Sequence, residues 1–172
     1  SAASDVYKRQ DLLSLDPQGR MRIRFSVMPE AYSRVLDVHT TPVRQRIQAI
    51  NAFVEAGWEV HLNFSPVIVQ EGWREAYLQL LDQIRTEVSD QALAQLKAEV
   101  IFLTHNTALH ELNLQWHPDG EALIWRPDIQ EPKASAGNGT NLRYHWRWKN
   151  QWVAWLNDQI TSRLNIPIRY SF

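Results

Sequence analysis

Six polar residues stand at or just beyond the ends of three segments that alternate like β-strands. They are Ser26, Asn63, Ser65, Thr104, His105 and Asn106. Ligands of α/β proteins bind at the carboxyl ends of parallel strands, where such side chains converge. Polar side chains such as Arg22, Arg24 and His61 also follow one face of these segments. The pattern indicates either a ligand site at the strand ends or an open sheet with one hydrated face.

A second group of residues, 143–149, interleaves cationic and aromatic side chains in the order RYHWRWK. Basic groups bind phosphates and aromatic rings stack on unpaired bases, so the segment is typical of a nucleic-acid contact. The same pattern also fits the start of a helix whose tryptophans cover the core while its arginines extend into water. If nucleic acid is bound, we expect Arg143 and Arg147 to face solvent and Tyr144 or Trp146 to present a ring.

Several kinds of chemistry have no support in the sequence. It contains no cysteine, hence no thiolate ligand or disulfide. His105, His110 and His117 are spaced by five and seven residues, which matches no standard zinc pattern, so we predict no metal site. There is no glycine-rich phosphate loop and no nucleophile elbow. The net charge of −1 argues against a polybasic protein.

The length of 172 residues fits one domain or part of a larger one, and 44% hydrophobic residues suffice for a core. No apolar run is long enough to span a membrane, and no segment has signal-peptide form. We therefore expect a cytoplasmic protein without membrane contact, and a monomer. Residues 1–10 read SAASDVYKRQ, which resembles the translation of a transposon-end adapter used in sequencing, the alternative being a natural flexible terminus. We expect them to be a disordered artefact that packs against nothing.

Periodicity predicts alternating strands and helices. The predicted strands are 20–28, 58–64, 99–104 and 168–172, and the predicted helices are 42–56, 71–87, 89–96, 107–115 and 152–164. Pro66 is expected to close the second strand, and a long connector is expected after His117. This order favours parallel neighbouring strands, with the helices 42–56 and 71–87 on one common side.

The same segments resemble the spore photoproduct lyase family of radical S-adenosylmethionine enzymes. The matching pieces are RFSVMPE at 24–30, the R-I-x-A-I-x-x-F-x-E-A-G pattern at 46–57, VHLNFSPVIVQEGW at 60–73, VIFLTHN at 100–106, LRYHW at 142–146 and IRYSF at 168–172. The resemblance implies an α/β fold, namely the C-terminal part of a partial (β/α)6 TIM-like barrel over 11–117. Residues 118–172 would form a C-terminal extension that contacts substrate.

The resemblance also implies a chemistry and a set of roles. A [4Fe–4S] cluster cleaves S-adenosylmethionine, and the resulting radical abstracts hydrogen from a thymine photodimer in DNA. Ser26 and Ser65 are then candidates for binding S-adenosylmethionine, and Asn63 is a third candidate because of its position at the same strand ends. His105, Arg143, Tyr144, His145 and Trp146 are candidates for binding the DNA substrate. The family's Cys-x3-Cys-x2-Cys loop is absent, so no catalytic or metal-binding residue is assigned and the chain alone is expected to be inactive.

Two departures from the family pattern keep other functions open. Ser65-Pro66 stands where the family has Ala-Pro, and Arg-Trp-Lys-Asn follows Trp146 where the family has a glycine–tyrosine hairpin. One alternative is a nucleic-acid-binding module without chemistry. Another is a radical S-adenosylmethionine enzyme that acts on a substrate other than DNA.

Overall fold

The computed structural model describes residues 11–134 and 140–172. Its main elements are β1 (Arg22–Ser26), α1 (Glu30–Leu36), α2 (Val43–Glu55), β2 (Glu59–Val67), α3 (Trp73–Glu87), α4 (Asp90–Gln95), β3 (Lys97–Phe102), β4 (Thr104–Asn106), a 3-10 turn (Thr107–Leu109), α5 (His110–Trp116), α6 (Pro118–Ile124), β5 (Gln130–Ala134), β6 (Thr140–Tyr144), α7 (Trp146–Leu164) and β7 (Ile168–Ser171). The prediction for residues 1–10 lies outside the described residues.

The larger sheet has four strands in the order β1-β2-β3-β7, and every neighbouring pair is parallel. The predicted parallel order of the first three strands is confirmed. In the register, Phe25 pairs with Leu62, and Leu62 pairs with Ala98. Because side chains alternate along a strand, these three share one face. The opposite face carries the polar side chains.

The long helices cover the apolar face of this sheet. Phe53 of α2 packs on Phe25 of β1, with ring centroids 5.6 Å apart. Trp73 of α3 packs on Phe102 of β3 at 6.3 Å, and Trp155 of α7 packs on Trp73 at 5.0 Å. Phe102 points to the same face as Ala98, four residues earlier. The prediction that 42–56 and 71–87 lie on one side is therefore confirmed.

Two details of the strand boundaries differ from the prediction. β2 does not end at Pro66 but continues to Val67, which pairs with Phe102. The register shifts between Phe64 and Val67, and proline is tolerated at such an irregularity because no ladder hydrogen bond is required of its nitrogen. The segment predicted as strand 99–104 is divided between β3 and β4, which belong to different sheets.

The predicted connector after His117 contains regular structure. Pro118 occupies the first turn of α6, where its missing N–H costs nothing. Gly120 lies in that helix close to α1, since a Cβ there would come within 3.5 Å of the Val35 carbonyl oxygen. Strands β5 and β6 then form an antiparallel pair, and β4 pairs antiparallel with β6 to complete a second, three-stranded sheet. Within the described residues, no helix is long and apolar enough to cross a membrane.

Candidate functional site

The polar face of the larger sheet has a buried glutamate at its centre, Glu99 of β3, whose side chain is 1% exposed. Its carboxylate lies 3.1 Å from Arg24 Nε and 2.5 Å from an Arg169 nitrogen, and it accepts a hydrogen bond of 2.7 Å from the Tyr170 hydroxyl. His61 Nδ1 lies 3.2 Å away. These five residues, the Glu99 cluster, connect β1, β2, β3 and β7. The sequence indicated Arg24 and His61 on one polar face, but it did not indicate that Glu99 would join them.

A second glutamate, Glu59, extends the charged face toward the beginning of β2. It contacts Arg22 at 3.1 Å, His61 Nε2 at 2.9 Å and Lys97 at 3.3 Å. Hydrogen bonds from Arg22, and then from His61, lower the pKa of Glu59 to about 2. Burial raises the pKa of Glu99, but hydrogen bonds from Tyr170, His61 and Arg169 outweigh burial and hold it below its usual value. Both carboxylates are therefore charged at neutral pH.

The lowered pKa values predict acid sensitivity. A carboxyl group whose pKa is lower in the folded chain stabilises that state above its unfolded pKa, and the contribution is lost as the pH falls through the folded pKa. We expect the urea midpoint to fall as the pH drops from about 4.5 toward 2. Glu59 is one-third exposed, so its share should be roughly 1–2 kcal/mol after solvent screening. Glu59→Gln should flatten this dependence, and an unchanged midpoint between pH 6 and pH 3 would contradict the prediction.

Two of the predicted cofactor residues, Ser26 and Ser65, line one cavity at the carboxyl ends of β1 and β2. The cavity has a volume of about 540 Å³, and the segment between α1 and α2 supplies much of its wall. Asn63 is paired with Ser26 in the register and lies two residues before Ser65, so all three share the polar face. The Oδ1 atom of Asn63 is buried and has no hydrogen-bond partner among the described residues. The strand ends thus present two hydroxyl groups and an unpaired acceptor.

Arg46 of α2 shapes the wall of this cavity, and sequence reasoning did not single it out. Its Nε donates to the Thr41 carbonyl oxygen at 2.7 Å, and Nη1 donates to the Ser26 carbonyl oxygen at 3.1 Å. Nη1 also contacts Asp37 at 3.0 Å, and Nη2 donates to Thr40 Oγ1 at 2.6 Å. The side chain is 12% exposed. Arg46 therefore holds the end of β1 and the loop before α2 in one arrangement.

Tyr144 is not available to a substrate base, which corrects its predicted role. It is 1% exposed and packs edge-on against Phe102 and Trp152. The backbone N–H of Val69 donates to its hydroxyl oxygen at 2.8 Å. Strand β6 alternates, so Leu142 and Tyr144 point inward while Arg143 lies on the other side. The alternation was visible in the sequence, but the element that covers Tyr144 was not.

Arg143 and His145 are bound to the protein itself. Arg143 Nε lies 3.0 Å from Glu131 of β5, and the Arg143 side chain is 39% exposed. His145 is the N-cap of α7, because its Nδ1 accepts from the Arg147 N–H at 3.2 Å. Its Nε2 lies 3.4 Å from Glu131. Arg143 itself lies in β6, which pairs antiparallel with β5. From Trp146 onward the chain forms α7, where the family has a glycine–tyrosine hairpin.

Trp146, Arg147 and Trp148 form the exposed part of the aromatic and basic segment. Trp146 is 57% exposed and Trp148 39% exposed. Arg147 is exposed as predicted, and no acidic group in residues 11–134 or 140–172 lies within 4.0 Å of it. Burial lowers the pKa of Lys149, and repulsion from Arg143 and Lys133 lowers it further. Positive charges therefore gather beside the exposed rings.

His105 was predicted to bind the DNA substrate, but it is buried and does not contribute to that surface. Its ring is 5% exposed, and Nε2 lies 2.7 Å from Glu121 of α6. His110 contacts the same carboxylate. The predicted absence of a metal site rested on spacing alone, and the fold brings His105, His110 and Glu121 together as a group that could hold a metal ion. No sequence signal identified Glu121.

A family model supplies the deciding comparison. The model described as "Spore photoproduct lyase" matches residues 4–151 of the chain. The chain belongs to the spore photoproduct lyase family. A spore photoproduct lyase of Bacillus subtilis (strain 168) is 30% identical over 84 residues, which cover 49% of this chain and 23% of the relative. A spore photoproduct lyase of Geobacillus sp. (strain Y412MC61) is 26% identical over 90 residues, covering 52% and 26% respectively.

Solved spore photoproduct lyase structures have the same fold. One, a variant with bound AdoMet and dinucleoside spore photoproduct, superposes with a TM-score of 0.86 at 18% identity. It is matched over 94% of this chain and 48% of its own length. Another, complexed with dinucleoside spore photoproduct, gives a TM-score of 0.85 at 17% identity. The chain therefore spans about half the length of these family members and reproduces their fold over nearly all of its own.

Proposed function

We propose that this chain is the C-terminal half of a cytoplasmic, monomeric radical S-adenosylmethionine enzyme that repairs a thymine photodimer in DNA. Residues 11–117 would form the last part of a partial (β/α)6 barrel, and residues 118–172 the extension that contacts DNA. The observation that carries the proposal is the cavity at the strand ends, which Ser26 and Ser65 line. The unpaired Asn63 acceptor, in register with Ser26, adds to it. Membership of the family and the bound AdoMet of a family structure support this assignment.

The residues present fit S-adenosylmethionine but not the cluster. A [4Fe–4S] cluster requires cysteine thiolates, and the sequence has none. We therefore expect the chain by itself to be inactive. S-adenosylmethionine, when bound beside a reduced cluster, supplies the group that abstracts hydrogen from the substrate. The task of this chain is to hold it, with the Ser26 and Ser65 hydroxyls and the Asn63 amide as the polar groups that orient it.

The surface around Trp146 supports DNA as the substrate. An exposed ring beside several cations combines base stacking with phosphate binding. The same surface also favours a second candidate function, a nucleic-acid-binding module without chemistry. The two candidates differ in one property, since only the enzyme needs the cavity at Ser26 and Ser65 to bind S-adenosylmethionine.

Binding of S-adenosylmethionine to the 172-residue chain tests the proposal. We expect saturation-transfer NMR to detect the adenine and methyl protons of the bound ligand. Asn63→Leu removes the unpaired acceptor and should weaken binding by about tenfold, the equivalent of one hydrogen bond. Asn157→Leu is the matched control, because Asn157 also has a buried unpaired Oδ1 but lies on α7, whereas Asn63 pairs with Ser26 at the end of β1. Binding of DNA without any S-adenosylmethionine signal would favour the module instead.

A further inference from the structure

Two buried glutamates among the described residues differ in what balances their charge. Glu99 has two arginines against its carboxylate. Glu121 is 1% exposed, and within residues 11–134 and 140–172 no lysine or arginine lies within 4.0 Å of it. A buried carboxylate is costly unless a positive charge and hydrogen bonds compensate it. The environment of Glu121 therefore lacks the cation that the environment of Glu99 contains.

The neighbours of Glu121 are metal-ligating groups. Its Oε1 lies 2.7 Å from His105 Nε2 and 2.5 Å from His110 Nδ1. Asn113 Nδ2 donates to the other oxygen, Oε2, at 2.7 Å. One carboxylate oxygen is thus directed at two imidazole nitrogens.

The spacing of these atoms suits a small tetrahedral ion. The three ligand atoms lie within 4.8 Å of one another. Bonds of about 2.0–2.1 Å in a tetrahedral zinc site separate neighbouring ligand atoms by about 3.3 Å. Each imidazole therefore needs to move away from the carboxylate by less than about 1 Å, with a zinc ion replacing the two hydrogen bonds. Both ligand nitrogens are then unprotonated, as zinc requires.

The surroundings support the ligands and leave a way in. Trp125 stacks on His110 with ring centroids 3.6 Å apart and contacts His105 edge-on at 5.6 Å, which fixes both ring planes. Glu121 and Asn113 line a cavity of about 380 Å³ that also borders α1. Groups that orient metal ligands contribute strongly to affinity. The His110 side chain is 24% exposed, so water reaches the ligand group from that side and can serve as the fourth ligand.

We propose that His105, His110 and Glu121 bind one zinc ion, with Asn113 as a positioning residue and water in the fourth position. His105 belongs to β4, His110 and Asn113 to α5, and Glu121 to α6. The ion would therefore join the second sheet to both short helices. Helix α5 has no buried residue of its own, so the described contacts give it little other anchorage.

Zinc titration of the intact chain after chelator treatment tests the site. We expect one equivalent to bind, and Tm to rise by about 5–10 °C at a free zinc concentration a hundredfold above Kd. Substitution with Co²⁺ should produce the intense visible bands of four-coordinate cobalt, because this spectrum depends on the ligand geometry. Absence of binding by the folded wild-type chain would overturn the proposal without any variant.

Variants then locate the ion. Glu121→Gln and His110→Ala should each weaken zinc binding by at least tenfold, and Asn113→Ala by about tenfold. Glu111→Gln is the matched control, since Glu111 is an exposed glutamate on the helix that carries His110 and Asn113. This substitution should leave zinc binding unchanged. Circular dichroism confirms that each variant is folded. Zinc binding that survives Glu121→Gln, or is lost in Glu111→Gln, would show a different site and contradict the proposal.

Discussion

Glu99→Gln should lower the free energy of unfolding by about 3 kcal/mol, the low end of the cost of breaking a buried ion pair. The amide keeps the size of the side chain but removes its charge. It also turns an N–H₂ group toward Arg24, Arg169 or the Tyr170 hydroxyl, which are donors to the carboxylate. Both arginines are partly exposed, so water can hydrate them when the carboxylate charge is removed, which limits the loss of stability. His61 is fully buried, so water cannot replace its contact with Glu99.

Asp82→Asn is the control for this measurement. Asp82 lies 2.6 Å from Arg163, but the two side chains are 64% and 37% exposed. An exposed pair of this kind contributes about 0–1 kcal/mol despite its short distance. Urea unfolding monitored by circular dichroism should therefore separate the two variants clearly. Equal losses in both would mean that burial of Glu99 is not what makes its cluster important.

Tyr144→Ala should cost about 3–5 kcal/mol of stability, while Trp146→Ala should change stability by less than about 0.5 kcal/mol. The two residues are two positions apart, but Tyr144 fills the space between Phe102 and Trp152 and Trp146 is exposed. Tyr144→Phe should cost about 1–3 kcal/mol, because it leaves the buried Val69 N–H without an acceptor. Urea unfolding checks all three values.

For DNA affinity, in contrast to stability, we expect Trp146 to be more important than Tyr144. If Trp146 stacks on a base, Trp146→Ala should weaken binding to an oligonucleotide containing a thymine photodimer by about tenfold, measured by fluorescence anisotropy. Arg147→Ala should reduce the salt dependence by about one phosphate contact. Trp116→Ala is the matched control, because Trp116 is 72% exposed at the end of α5. Equal loss for Trp116→Ala and Trp146→Ala, or none for either, would remove DNA binding from this surface.

The sequence by itself determined the elements of the larger sheet and their order. Alternation in RIRFS and the apolar stripe of α2 are local patterns with the periods of a strand and a helix, and the crossover rules then require parallel neighbours. The convergence of Ser26, Asn63 and Ser65 follows from the same reasoning, because strand ends in a parallel sheet meet at one edge.

Only the tertiary structure decided which side chains are covered and which long-range groups meet. Tyr144 and Trp146 are both aromatic residues between Arg and His neighbours in the sequence, yet Tyr144 is buried because α7 and β3 pack over it. Arg46 reaches the end of β1, and Glu121 reaches His105 across 16 residues, through contacts that no local period encodes. Periodicity reports the face on which a residue lies, whereas its partners depend on how separate elements pack against one another.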